Sequence, residues 1–194
     1  MAADRRRTRF LLVGTFLVFF VPIMAAWLLN VLAPNWRPFG TLNHGTLVEP
    51  VRQVGVNGLT RPDGGEMQAD YLSGRWTLVQ LVDGDCGQAC LEALTRSHQV
   101  QLALGDDMQR VQLILVLKKA AAPEAATLPP GVTVAMANDG WLARFSVAQT
   151  QPGERLRLYM IDPQGYLMMH YAADVDQRAL LADLERLLKI SKIG

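Results

Sequence analysis

A length of 194 residues fits one domain with additions, and a net charge of +1 with no basic stripe excludes a nucleic-acid reader. Hydrophobic residues make up 50% of the chain and charged ones 19%, and the apolar excess is concentrated at the N-terminus.

Phe10 to Leu29 carries no charged residue. Extended through Asn30, Val31 and Leu32, the run is long enough to cross about 30 Å of hydrocarbon. Arg5, Arg6, Arg7 and Arg9 precede it, and Arg37 is the next basic residue. The excess of positive charge on that side puts the N-terminus in the cytosol and everything after Leu32 outside. Ala25-Ala26 offers the small residues of a signal-peptide cleavage site. Signal h-regions are only about 7–15 residues, however, and this run continues through Trp27-Leu28-Leu29. An uncleaved, single-pass anchor is therefore expected. In a bacterium it would sit in the inner membrane with the C-terminal domain in the periplasm, where thiol oxidation is permitted.

Ala33-Pro34-Asn35-Trp36-Arg37-Pro38 reads as an extended linker. Asn43-His44-Gly45 is a turn signal, with His44 expected in solvent, and Thr46-Leu47-Val48 is a strand that would dock on the domain. Arg61-Pro62-Asp63-Gly64-Gly65 is a further turn. Trp76 to Val82 is short, apolar and rich in branched residues, as a buried strand is. Asp83-Gly84-Asp85 breaks it, and Leu91, Leu94 and Leu102 then recur at helical intervals. Gly105 marks that helix's end. Val111 to Leu117 reads as a second buried strand of the nearly uninterrupted apolar kind found in parallel sheets. Val132 to Met136 is a third, ended by Asn138-Asp139-Gly140, and Trp141 to Val147 is a helical turn. Leu156 to Ile161 and Tyr166 to Tyr171 form a hairpin around Asp162-Pro163-Gln164-Gly165. The last helix is expected to be capped by Asp174 with Gln177, and to bury Leu180, Leu181, Leu184, Leu187 and Leu188.

Strand, helix, strand, then hairpin and helix is a βαβ unit joined to a ββα unit. The expected fold class is α/β and thioredoxin-like, a central mixed sheet flanked by helices, with one N-terminal transmembrane helix. The expected organisation is a basic cytosolic tail over 1–9, a transmembrane helix over 10–32, a linker and extension over 33–68, and the thioredoxin-like domain over 69–194.

The only two cysteines, Cys86 and Cys90, fall where the first strand of that unit turns into its helix. Free amide N–H groups and the positive end of the helix dipole stabilise a thiolate there. Residues i and i+4 of a regular helix lie about 5–6 Å apart at Cβ, whereas a disulfide needs about 3.5–4.5 Å. The pair can close only if the first turn distorts or Cys86 sits ahead of the helix. Alternatively two thiolates at that spacing converge on a soft cation such as Cu(I). The plainer reading is two buried structural cysteines, or a static disulfide that closes a small loop. Asp83 and Asp85 either take protons during exchange or merely shape the turn, and Asp85 opposes thiolate formation at Cys86. No P-loop, serine triad, catalytic carboxylate pair or Cys/His zinc spacing is present.

The anchor, the strand running into a Cys-x3-Cys helix start, and Tyr159-Met160-Ile161-Asp162-Pro163-Gln164-Gly165 resemble the Sco/SenC proteins. These are membrane-anchored thioredoxin-fold proteins that serve copper-centre assembly in cytochrome c oxidase. Asn43 to Leu47 is similar to the strand opening of related oxidase-associated proteins. The resemblance implies thiol–disulfide exchange or Cu(I) handling at Cys86 and Cys90, with Cys86 the more reactive thiol and Cys90 the resolving one. It implies an oxidase subunit or assembly factor as partner, and no cofactor other than Cu(I). An alternative is a non-catalytic module derived from the same family that docks on such a partner. A general thiol oxidoreductase or peroxidase is a third reading, opposed by the lack of Cys-x2-Cys. Whether the chain is an enzyme or a chaperone stays open at this point.

Two departures accompany the resemblance. The family's cysteines are each followed by proline, and here Gly87 and Leu91 follow them. The family's metal-binding histidine precedes the Tyr-x-Ile-Asp strand, where this chain reads Gln151-Pro152-Gly153-Glu154-Arg155. Pro152 is the candidate for the proline that faces the cysteines in thioredoxins. His170, on the second hairpin strand, is the remaining candidate third copper ligand. His98 lies eight residues after Cys90, about 12 Å along a helix, and reads as a half-buried core histidine. Met160, Met168 and Met169 are soft enough for Cu(I) but fit core filling better.

Overall fold

The computed structural model describes residues 2–33, 43–118, 122–145, 156–172 and 174–191, with residues 2–7 described as backbone only. The candidate linker residues 34–38 and the segment 151–155 fall outside these. The chain divides into two compact units, Met1–Leu42 and Asn43–Gly194.

The first unit is a single helix, α1 (Ala2–Leu32). Its stretch Thr8–Leu32 has a mean hydropathy of 2.4 over its most apolar window and is long and apolar enough to cross a membrane. At 1.5 Å per residue its 25 residues span roughly 38 Å. Large apolar side chains are exposed all around it, from Phe10 to Leu32, which is the pattern of a helix whose solvent is lipid. Pro22 sits inside the helix, a placement that membrane helices tolerate.

The second unit is built on one seven-stranded sheet. Its strands are β1 (Thr46–Gln53), β2 (Leu59–Thr60), β3 (Trp76–Asp83), β4 (Val111–Lys118), β5 (Thr133–Ala137), β6 (Leu156–Ile161) and β7 (Tyr166–Ala172), in the spatial order β1-β7-β6-β3-β4-β5-β2. α2 (Gln88–Ala103) crosses from β3 to its parallel neighbour β4. β6 returns antiparallel to β3, β7 antiparallel to β6, and α4 (Gln177–Ile190) closes the chain. This is the expected βαβ plus ββα layout. β3 and β4 are buried over seven successive residues each, because the sheet is covered on both faces.

One face packs Leu78, Leu113, Leu158, Met160 and Met169 under α4 residues Leu180, Leu184 and Leu188. The other packs Val79, Ile114, Tyr159 and Ile161 against Trp141 and Phe145. The last two residues belong to the helical turn α3 (Asp139–Leu142) and the 3-10 turn Ala143–Phe145, where the sequence suggested one. Thr46, Leu47 and Val48 do form a docking strand. It pairs antiparallel with β7, and the ladder is interrupted between Leu47 and Arg52, around Pro50.

The expected cap of the last helix is wrong. α4 begins at Gln177, its N-cap is Asp176, and no side chain caps it. Gln177 instead donates from Nε2 to Gln99 Oε1 at 2.7 Å and to the Arg96 carbonyl at 3.4 Å, tying α4 to α2. A cap is a local preference, and here a bond between helices uses the side chain that the local pattern assigned to the cap.

Candidate functional site: a disulfide at the start of α2

β3 ends at Asp83, Gly84 turns the chain with φ +125°, and Gly87 forms the N-cap in an extended conformation. The carbonyl of Gly87 accepts from Cys90 N–H at 3.0 Å and from Leu91 N–H at 3.1 Å. Cys86 therefore lies outside the helix and Cys90 in its first turn. They are joined by a disulfide with Cα atoms 5.2 Å apart. Of the two ways to close the pair, the chain uses the second: Cys86 precedes the helix, and the helix starts without distortion.

The two sulfurs have unequal surroundings. Cys90 is 4% exposed and packs among Val82, Leu94, Leu115 and Leu117. Cys86 is half-buried at the rim of the same cluster, against which the partly buried Leu128, Val134, Met136 and Leu156 also pack. A nucleophile from solvent can therefore approach Cys86 while Cys90 stays covered. The thiolate released at Cys90 would lie in the first turn of α2, where backbone N–H groups favour negative charge. Asp83 and Asp85 are exposed at the same mouth. Lys118 Nζ lies 4.0 Å from Asp83 and 3.7 Å from Asp139, which partly offsets the negative charge.

The structure does not bring His170 to the cysteines. His170 pairs across the ladder with Tyr159, and Tyr159 pairs with Val79, three residues back from Val82. At 3.3–3.4 Å per residue that is about 10 Å down the strand from the end where the disulfide sits. Its ring also stands by Tyr159, on the sheet face opposite the Cys90 cluster. Met160 and Met169 are core, and Met168 packs at its margin. His98 is half-buried on α2. Among the described residues no group of three or more His, Cys, Asp and Glu side chains could hold a metal.

A second polar centre escaped the sequence reading. Asp183, 1% exposed, sits within the leucine stripe of α4. Its carboxylate accepts from the backbone N–H of His44 at 2.9 Å and of Gly45 at 2.9 Å, from the Tyr171 hydroxyl at 3.2 Å, and pairs with His44 Nδ1 at 3.1 Å. His44 is thus half in solvent, with a 52% exposed side chain, and half fastened. The signal was available: a lone carboxylate between Leu180 and Leu184 stands where charges are rare unless paired. Burial pushes Asp183 up, but the N–H donors of Gly45 and His44, the His44 ring and the Tyr171 hydroxyl outweigh it and hold the carboxyl below its ordinary value. Burial first, and then the adjacent Asp183 charge, push the Tyr171 hydroxyl far above its usual range.

The pH dependence follows from these two directions. The depressed Asp183 contributes stability that is complete above its unfolded value near 3.8 and is lost as pH falls through the lower folded value. The raised Tyr171 contributes stability that is complete below 10.0 and is lost as pH rises beyond it. The contributions of Asp183 and Tyr171 to the unfolding free energy, measured across pH, are expected to be complete from about pH 4 to pH 10 and to decline on either side.

Residues 76–191 match the family model described as the transmembrane-like, thioredoxin-like, C-terminal domain. The chain belongs to that family. This thioredoxin-like domain has the fold of several solved structures at low identity. Apo Sco1 from Thermus thermophilus is 16% identical, with 78% of this chain and 99% of that one covered and a TM-score of 0.56. Yeast Sco1 with copper bound is 13% identical, with 78% and 96% covered and a TM-score of 0.54. BsSco, described as a Sco-family cytochrome c oxidase assembly protein with a disulfide switch, is 13% identical, with 75% and 100% covered and a TM-score of 0.52. No curated protein matches the sequence.

Proposed function

We propose that this chain is a membrane-anchored accessory protein that exchanges disulfides with cysteines of a respiratory oxidase's copper centre during assembly. α1 anchors it in the bacterial inner membrane with the N-terminus cytoplasmic, and the thioredoxin-like domain works in the periplasm. The carrying observation is the inequality of the two sulfurs: Cys86 half-exposed ahead of α2, Cys90 covered within its first turn.

The chemistry balances with the residues present. A partner thiolate attacks Cys86 Sγ, the Cys86–Cys90 bond breaks, a mixed disulfide forms at Cys86, and Cys90 leaves as a thiolate that takes a proton from solvent. A second partner thiolate then attacks the partner sulfur of that mixed disulfide and releases Cys86. The partner loses two electrons and the pair gains them. The reverse sequence delivers electrons.

Cu(I) as cargo is supported by the copper-bound form of yeast Sco1, and two reduced thiols suit this ion. Among the described residues no His, Asp or Glu joins the two sulfurs in a group that could hold a metal, which favours exchange over copper transfer. The test has two arms on the full chain: the reduction potential of the pair in thiol buffers, and anaerobic Cu(I) titration of the reduced protein. A potential within the range of cellular thiol couples supports exchange, whereas tight stoichiometric Cu(I) binding shifts the reading to copper delivery. Failure of both, in a strain whose Cys86→Ser/Cys90→Ser protein still builds active oxidase, overturns the proposal.

A further inference from the structure

Asp183 is the only buried charged side chain among the described residues, and its donors come from the turn before β1 and from β7. It fastens an edge strand that buries few side chains of its own. Val48 is the single buried side chain of β1, and the ladder to β7 is broken between Leu47 and Arg52. Gly45 lies flat on Tyr171: a Cβ there would meet the ring at 2.5 Å, so the chain is pressed against the very side chain that also holds Asp183.

We propose that residues 43–50 form a releasable strap, latched over β7 by the Asp183 carboxylate, that lifts from the sheet while the rest of the domain stays folded. Bonds to a charged acceptor hold the strap, so closing is specific. Lifting it removes one fully buried apolar side chain, Val48, and the partly buried Leu47. It also admits water to Asp183, to Tyr171 and to the freed backbone groups from the same side, so no polar group is left dry. Such an opening lies well below global unfolding in cost. It bares the edge of β7 up to Ala172. That edge reaches the end of the sheet that carries the disulfide, since Ala172 pairs with Arg157 and the adjoining Leu156 pairs with Val82.

Hydrogen exchange on the full chain in lipid nanodiscs tests this, and it does so independently of whether Cys86 and Cys90 are cycled. In Asp183→Asn, the amides of His44 to Leu47 and their partners on β7 should exchange roughly tenfold to a hundredfold faster, with β3 and β4 unchanged. Tyr171→Phe removes one of the donors and leaves the backbone ones. It should produce a smaller rise confined to the same amides, and it decides the matter alone if Asp183→Asn does not fold. Acceleration spread evenly over all strands, or none at His44 to Leu47, overturns the strap.

Discussion

Cys90→Ser turns the protein into a trap. Cys86 then takes up a small disulfide reagent and keeps it as a stable mixed disulfide, because no internal thiol remains to displace it. Cys86→Ser behaves in the opposite way. Its remaining thiol is 4% exposed within the first turn of α2 and reacts only when that turn opens. An opening of about 3 kcal/mol slows it roughly a hundredfold relative to Cys86. Stopped-flow reaction of each reduced variant with a chromogenic disulfide reads both rates. Equal rates would mean that the two sulfurs are equally accessible and would remove the assignment of attacking and resolving roles. Either substitution also opens a small covalent ring, at a cost of about 2 kcal/mol in stability.

The largest stability effect is expected at Tyr159. Its side chain is fully buried, its ring meets Phe145 edge-on at 5.0 Å between centroids, and its hydroxyl donates to the Phe145 carbonyl at 3.2 Å. Tyr159→Ala empties the centre of one face of the sheet and should lower the unfolding free energy by roughly 3–5 kcal/mol. Tyr159→Phe keeps the ring and orphans one carbonyl, for about 1 kcal/mol. Urea unfolding of the full chain in detergent, followed by near-ultraviolet circular dichroism, separates the two. A loss below 1 kcal/mol for the alanine variant would show that the site collapses around the gap and that the ring is not a keystone of this face.

Much of this was legible from the chain. The apolar runs of β3 and β4, the turn at Asp162 to Gly165 and the leucine spacing of α4 are local signals, and each placed its element correctly. The junction holding Cys86 and Cys90 was equally plain, because Asp83-Gly84-Asp85 stops a strand just before helical spacing begins. What the sequence left open was whether the helix would bend to close the disulfide. That depends on the extended backbone at Gly87, which no spacing rule supplies. The misses share a cause. Gln177 and His44 bond to residues 78 and 139 positions away, and Asp183 gathers donors from the turn before β1 and from Tyr171 on β7, so their roles arise only from the packing of α4 on α2 and on that edge of the sheet. His170 failed as a ligand candidate for a similar reason: strand alternation and register put it on the far face, and register is not written in the residue itself.

The two outermost strands of the sheet carry a consequence for crowding. β2 is only two residues long, and β1 contains Pro50, which has no N–H to offer a neighbour. Both rims are therefore poor templates for edge-to-edge zippering between copies, a hazard that grows when an anchor confines molecules to two dimensions. That protection at one rim depends on β1 staying seated on β7. A chain that loses the Asp183 fastening presents the proline-free β7 in its place, and should clump more readily as its surface density rises.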